Sequence, residues 1–256
     1  MKKSLSRPDV SHLYKYYTGD LDRLKSVITK SELYFPNPSQ LNDPAEAKPK
    51  LAKLSLEKIC SFLHNMFILN NPNLSPDLYQ QNKAQIEFNV SLFGPHKILE
   101  EMSKILNAEF STFRIYSMSK RPDNMSLWVK YANNYRGSCL EFSNSGLFTA
   151  AREVIYGDTV DFDPTDPDQR NAYILFQKTL DWQTEEEVRL VTPRGTLPII
   201  KFAPNLLTRI IIGQDMPDKK INMIRKWASL RSSALTIVHA KYNEFGHKIN
   251  FIPILL

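Results

Sequence analysis

The stretch FRIYSMS, residues 113–119, decides the fold of this chain. Its polar and apolar residues alternate and it is rich in aromatic and β-branched types, which predicts a β-strand. The next segment, DNMSLWVKYANNYR (123–136), opens with two residues that favour helix N-caps and predicts a helix. Gly137 stands where a glycine commonly ends a helix, and SCLEF (138–142) predicts a second strand.

The chain before this stretch has a helical texture. Between about residues 53 and 110, apolar residues recur at helical spacing, and breaks at 71–76 and 94–95 divide the region into about three helices. These residues carry no recognisable chemistry, so we interpret about 50–110 as a helical insertion. Further upstream, LYKYY (13–17) predicts a strand and residues 21–31 predict an amphipathic helix.

The chain after this stretch consists mostly of short strand-like segments. Many short strands with few helices between them indicate an α+β fold with a largely antiparallel sheet, in contrast to a doubly wound one. Neither a GxGxxG nor a Walker A pattern is present. The predicted strands are 153–157, 184–193, 197–202, 208–213, 235–240 and 248–254, and the predicted helices are 168–180 and 217–231.

Length and composition restrict the class of protein. The 256 residues predict a single domain spanning 1–256. No apolar run is long enough for a signal sequence or a membrane helix, so we expect a cytoplasmic protein with no membrane partner. Cys60 and Cys139 are far apart, and the five histidines match no ligand spacing, so we expect no metal. The net charge of +6 permits a nucleic-acid partner.

The carboxylates near residue 186 are the first candidate site. On a strand, Glu185, Glu187 and Arg189 would share one face, while the apolar residues between them would point into the core. Two carboxylates and a guanidinium would then converge close to Trp182. A solvated ion pair is the commoner origin of such a pattern, and the rim of a ligand site is the alternative.

The stretch 116–119 and the helix after it form the second candidate site. Ser117 and Ser119 would share a strand face, and Trp128 and Tyr131 would share a helix face. Core packing is the expected role of Trp128. We expect Tyr116 and Ser119 to belong to a site.

Several motifs together resemble a widespread bacterial family of uncharacterised domains. They are an opening LYKY strand (13–16), an Asn-Asp-Pro sequence (42–44) followed by Glu46, a WxxYA helix leading into GxCLxF (128–142), and a late WxxExExR (182–189). The resemblance covers most of the chain outside the helical insertion. That family is in turn similar to the ADP-ribosyltransferase superfamily, which implies a split, mostly antiparallel sheet.

The superfamily resemblance also implies roles for individual residues. Its members carry a His or Arg on a first strand, a Ser-rich or Tyr-bearing middle strand followed by a helix, and a late catalytic Glu, often within Glu-x-Glu. This chain has no His or Arg in 13–18, so Lys15 or Tyr16 would have to hold the ribose or phosphates of NAD. Glu187 would stabilise the oxocarbenium-like transition state of NAD cleavage, and Glu185 would orient or deprotonate the acceptor.

The remaining roles concern binding of the substrate NAD. Ser117 and Ser119 would support the glutamate, and Tyr116 or Tyr131 would stack on nicotinamide. Contacts with phosphates or sugar hydroxyls would come from Lys15, Thr18 and Arg189. By analogy, the chain would be a toxin or anti-phage defence effector that modifies RNA, DNA or protein, with an antitoxin or inhibitor protein as partner.

Two other classes of function stay open at this point. A non-catalytic module of a defence or stress system could use the same cleft to bind a nucleotide or a partner protein, and the missing first-strand His or Arg favours it. A nuclease or general nucleic-acid binder is supported by the charge alone, because Glu185 and Glu187 are few ligands for a catalytic metal. Consumption of NAD separates the transferase from both.

Overall fold

The computed structural model describes residues 5–43, 46–48, 50–157, 161–166 and 173–254. Six α-helices are α1 Leu21–Lys30, α2 Leu56–Asn70, α3 Pro76–Phe93, α4 Pro95–Phe110, α5 Met125–Lys130 and α6 Asp218–Ser229. The strands are β1 His12–Tyr17, β2 Glu32–Tyr34, β3 Arg114–Ser119, β4 Ser138–Ser143, β5 Arg152–Glu153, β6 Ile155–Tyr156, β7 Gln177–Lys178, β8 Glu187–Thr192, β9 Ile199–Lys201, β10 Leu207–Gly213, β11 Thr236–Asn243 and β12 Lys248–Pro253. No helix in the described ranges has the length and apolar character needed to cross a bilayer.

The main sheet has eight strands in the order β12-β11-β10-β4-β1-β3-β8-β5. All neighbours in it are antiparallel except β10 and β11. The prediction of a mixed fold with a mostly antiparallel sheet is therefore confirmed. Alternation sends Leu13, Met118 and Leu140 to the face that α1 and α6 cover, and Tyr14 and Cys139 to the face that α5 covers.

Within the main sheet, the pairing of residues is least extensive between β1 and β3. These strands meet at one pair of residues, Tyr14 and Ser119, whereas β1 pairs with β4 over its whole length. Beyond this pair the two strands part, and Lys15 crosses the gap by donating from Nζ to the carbonyl oxygen of Ser117 at 2.7 Å. The separation leaves an opening in the middle of the sheet.

The three helices α2 to α4 confirm the predicted helical region. They bury a small cluster of their own, made of Leu54, Ile59, Val90 and Met102. Leu51 packs against both this cluster and a neighbouring one that contains residues of the main sheet. The assignment of residues 1–256 to one domain stays a prediction.

Two predicted helices differ from the structure. One is shorter than predicted, and the other is not an α-helix in its described part. Helix α5 ends at Lys130, because Asn133, Asn134 and Tyr135 all adopt left-handed backbone angles, with φ of 49°, 51° and 62°. The described part of the predicted helix 168–180 is a 3₁₀ turn at Tyr173–Phe176 followed by β7; residues 167–172 lie outside the described residues. The predicted strand 153–157 is likewise interrupted and forms β5 and β6.

The turn after α5 brings backbone segments into close contact. A Cβ atom added to Gly137 would lie 2.0 Å from the carbonyl oxygen of Tyr17, so no larger residue fits there. We expect Gly137→Ala to destabilise the chain by at least about 1–3 kcal/mol, since the backbone of β1 would have to move. Gly157→Ala is the control, because none of the described residues lies within 4 Å of an added Cβ there. Equal melting temperatures of the two variants would contradict this packing.

Candidate functional site

A polar cavity of about 240 Å³ lies at the opening between β1 and β3. This volume is below the roughly 300–1,000 Å³ of common ligand pockets, so the cavity would enclose part of a dinucleotide and leave the rest outside. Both strands, the loop after β2, helix α5 and the start of β8 contribute side chains. The residues that line it include Tyr14, Lys15, Tyr16, Arg23, Gln40, Asn42, Asp43, Glu46, Ser117, Ser119, Tyr131, Lys178, Trp182, Glu185 and Glu187.

A buried network of charges forms one wall of the cavity. Lys178 donates from Nζ to Glu185 at 2.8 Å and to Glu187 at 2.9 Å. Arg189 donates from Nε to Glu187 at 2.7 Å and also pairs with Glu46. Arg189 is fully buried and Glu187 is 5% exposed. Of the two interpretations of the charge pattern, the solvated ion pair at a sheet edge is therefore wrong, since the five side chains of the network are all buried.

The two central carboxylates are brought together by a turn, and this corrects the prediction of one continuous strand. Glu185 ends a 3₁₀ helix, Leu180–Glu185, and Glu187 begins β8. Between them Glu186 takes a left-handed conformation, with φ of 45°. The Ser119 hydroxyl donates to the Glu185 carbonyl oxygen at 2.9 Å, and the Glu187 amide donates to the Tyr156 hydroxyl at 2.7 Å.

Aromatic side chains lie against the carboxylates. Tyr131 donates from its hydroxyl to Glu185 Oε1 at 3.0 Å. The ring of Trp182 lies 4.5 Å from Lys178 Nζ and 4.7 Å from Lys130 Nζ, as cation–π contacts do. Both aromatic residues line the cavity, so a ligand there would meet aromatic surface as well as charge.

Burial and neighbouring charges shift the ionisation of these groups. Burial raises the pKa of the Glu187 carboxyl above its usual value, while Lys178 and a hydrogen bond from Ser117 oppose this. Although burial opposes it, Glu187 and Glu185 raise the pKa of Lys178 well above the ordinary range of an amine. Burial lowers the pKa of Lys15 to about 8, against the attraction of Glu187. Lys15 is thus a group of this site whose pKa lies just above neutral pH.

Most of the predicted site residues come together in this cavity. Glu187 and Ser119 are cross-strand partners on the same face of the sheet, as are Arg189 and Ser117. Helix α5 and the turn after it place Tyr131 beside them. The predicted residues that line the cavity are Lys15, Tyr16, Ser117, Ser119, Tyr131, Glu185 and Glu187.

Three predicted site residues do not line the cavity. Tyr116 points to the opposite face of β3 from the two serines, where it packs against Phe35 with ring centroids 5.1 Å apart. Thr18 is exposed beyond the end of β1. Arg189 lies behind Glu187 and has no exposed surface. The structure therefore corrects two predictions. Tyr116 does not reach this cavity to stack on nicotinamide, and Thr18 and Arg189 do not line it to contact phosphates.

Two members of the buried charge network were not identified from the sequence. Glu46 was present in the motif at 42–46, but nothing in that motif indicated contact with Arg189, 143 positions away. Lys178 fell within a predicted helix, and its spacing of seven from Glu185 gave no signal. Within the described ranges, no group of three or more His, Cys, Asp or Glu side chains is arranged to hold a metal ion.

Comparisons with known proteins give no further guide to this site. No protein-family model, curated protein or solved structure matches the chain.

Proposed function

We propose that this chain is an NAD-dependent ADP-ribosyltransferase that acts as a bacterial toxin or anti-phage defence effector. One observation carries the proposal. Residues from the first strand (Lys15, Tyr16), the middle strand (Ser117, Ser119) and the start of the late strand (Glu187) line a single cavity where the sheet separates. The three elements follow one another along the chain in the order that the superfamily resemblance implies, which supports the proposal.

The charges of the cavity suit the chemistry. Breaking the bond between nicotinamide and ribose develops positive charge on the ribose, and a nearby carboxylate stabilises it. Glu46, Glu185 and Glu187 face the two cations of the buried network, Lys178 and Arg189, so the network carries one excess negative charge. We assign Glu187 to the ribose and Glu185 to the acceptor, as the superfamily resemblance implies. Glu185 also accepts a hydrogen bond from the Tyr131 hydroxyl.

The test is incubation of the purified chain with NAD labelled in its adenylate half and a bacterial lysate. We expect label to become attached to one class of macromolecule. Digestion with protease, ribonuclease and deoxyribonuclease then identifies protein, RNA or DNA as the acceptor. Absence of covalent label with folded protein would contradict the transferase proposal.

Binding of NAD should depend on pH through Lys15. Its ammonium form attracts phosphates, and that form is lost as the pH rises through about 8. Affinity should therefore be constant near pH 7 and fall by up to about tenfold per unit above pH 8. Lys15→Arg, which stays charged, should remove this dependence. Calorimetric titration with NAD between pH 6.5 and 9.5 measures it; the same decline in the Arg variant would exclude Lys15 as its cause.

A second candidate function is a non-catalytic binding module that uses the same cavity. Its support is the state of Glu187, whose Oε1 accepts from Arg189 and whose Oε2 accepts from both Lys178 and Arg189. A carboxylate held by two cations offers less charge to a transition state. This candidate predicts that NAD or a related nucleotide binds and is recovered intact.

A further inference from the structure

Charged groups of both signs line the cavity. Lys178 and Arg189 neutralise part of the charge of Glu46, Glu185 and Glu187, and the cations Lys15 and Arg23 also reach the cavity. Ser117 contacts both Lys15 and the carboxylates. Its carbonyl oxygen accepts a hydrogen bond from Lys15, and its hydroxyl donates one to Glu187. Arg23 is close enough to Lys15 for its charge to oppose protonation of that amine. The two cations Lys15 and Arg23, together with a buried network that has one excess negative charge, would orient a ligand that has one anionic part.

The guanidinium of Arg23 is held in place at the edge of the cavity. It lies 4.6 Å from the centre of the Tyr34 ring, and its Nε is 3.4 Å from Asp20 Oδ2. Tyr34 is fixed in turn by donating its hydroxyl to Gln40, another residue of the lining. Among the described residues, no hydrogen bond is made by the two terminal nitrogens of Arg23. These nitrogens are the fork that binds phosphate oxygens in pairs.

We propose that Arg23 and Lys15 form the subsite for the diphosphate of a nucleotide, with Arg23 at the entrance and Lys15 deeper in the cavity. A diphosphate carries two adjacent anionic groups, and two cations of different depth match it. The remaining carboxylate of the lining, Asp43, belongs to the loop after β2. This assignment rests on the proposed function for the identity of the rest of the ligand, since the ribose attached to that diphosphate would then point toward Glu187.

The subsite is tested by binding, without any requirement for catalysis. The variant is Arg23→Gln, and the matched control is Lys25→Gln, which removes the same charge from an exposed position on the same helix that does not line the cavity. The probes are ADP-ribose, inorganic pyrophosphate and nicotinamide riboside, which lacks phosphate. We expect Arg23→Gln to weaken ADP-ribose and pyrophosphate by about tenfold or more and to leave nicotinamide riboside unchanged. The Lys25→Gln control should bind all three like the wild type.

Two results would overturn the subsite. One is wild-type affinity of Arg23→Gln for ADP-ribose; the other is an equal loss in Lys25→Gln, which would show a general effect of charge. The result of this binding test can be distinguished from the result of the test for ADP-ribosyl transfer. Weaker binding in Arg23→Gln together with intact NAD would keep the diphosphate subsite and reject the transferase.

Discussion

Glu187→Gln is expected to lower the rate of ADP-ribosyl transfer by ~100–1,000-fold. Gln keeps the size of the side chain but cannot offer a negative charge to the ribose as the bond to nicotinamide breaks. The same change removes one partner of Lys178 and Arg189, both of which are buried. We therefore also expect a lower melting temperature, so rates must be measured where circular dichroism shows both proteins to be folded.

The control for this variant is Glu186→Gln. Glu186 is the neighbouring carboxylate, but it faces outward and forms an exposed ion pair with Arg121 at 3.3 Å. Its loss should cost only ~0–1 kcal/mol and leave the rate unchanged. If expression of the chain arrests bacterial growth, Glu187→Gln should abolish the arrest and Glu186→Gln should keep it. Full transfer activity in folded Glu187→Gln would remove this residue from the mechanism.

Arg189→Met is expected to give the largest loss of stability, about 3–5 kcal/mol. The guanidinium donates to Glu46, to Glu187 and to the Leu175 carbonyl oxygen, and all of these contacts are buried. Met fills much of the volume of the arginine side chain. It leaves the buried carboxylates of Glu46 and Glu187 with less positive charge to balance them. For a chain of this size the loss corresponds to roughly 6–20 °C in melting temperature.

Arg194→Met is the matched control for Arg189→Met. Arg194 follows β8 and pairs with Glu109 at 3.3 Å, where Arg194 is exposed and Glu109 is half-buried. Its removal should change the free energy of unfolding by no more than ~1 kcal/mol. Equal losses in the two variants, measured by urea denaturation, would contradict the view that the buried network holds the site together.

The sequence predicted the regular parts of the fold well, because local patterns determine them. The three helices of the insertion and strands such as β1, β3 and β4 follow from periodicity and turn residues. The errors fall where tertiary contacts override local preference. Three consecutive left-handed residues end α5 early, and Lys178 lies on a short strand where a helix was predicted, held there by Glu185 and Glu187.

The candidate site was predictable in Glu187, Lys15 and the two serines of β3, but not in Glu46, Lys178 or the turn at Glu186. Alternation along the strands agrees with Glu187 lying beside Ser119. The same alternation sends Tyr116 to the opposite face of β3, where it packs in the core. Glu185 reached the site through a turn at Glu186, which no pattern indicated. Lys178 and Glu46 come from segments distant from each other in sequence, and only the folded chain brings them together.

The most direct test of the account is the amount of nicotinamide released from NAD by the purified chain in the presence of a bacterial lysate. Chromatography quantifies nicotinamide against heat-inactivated protein as the blank. We expect release by the wild type and by Glu186→Gln, and release close to the blank for Glu187→Gln. Intact NAD after incubation with folded wild-type protein, or equal release by Glu187→Gln, would contradict it.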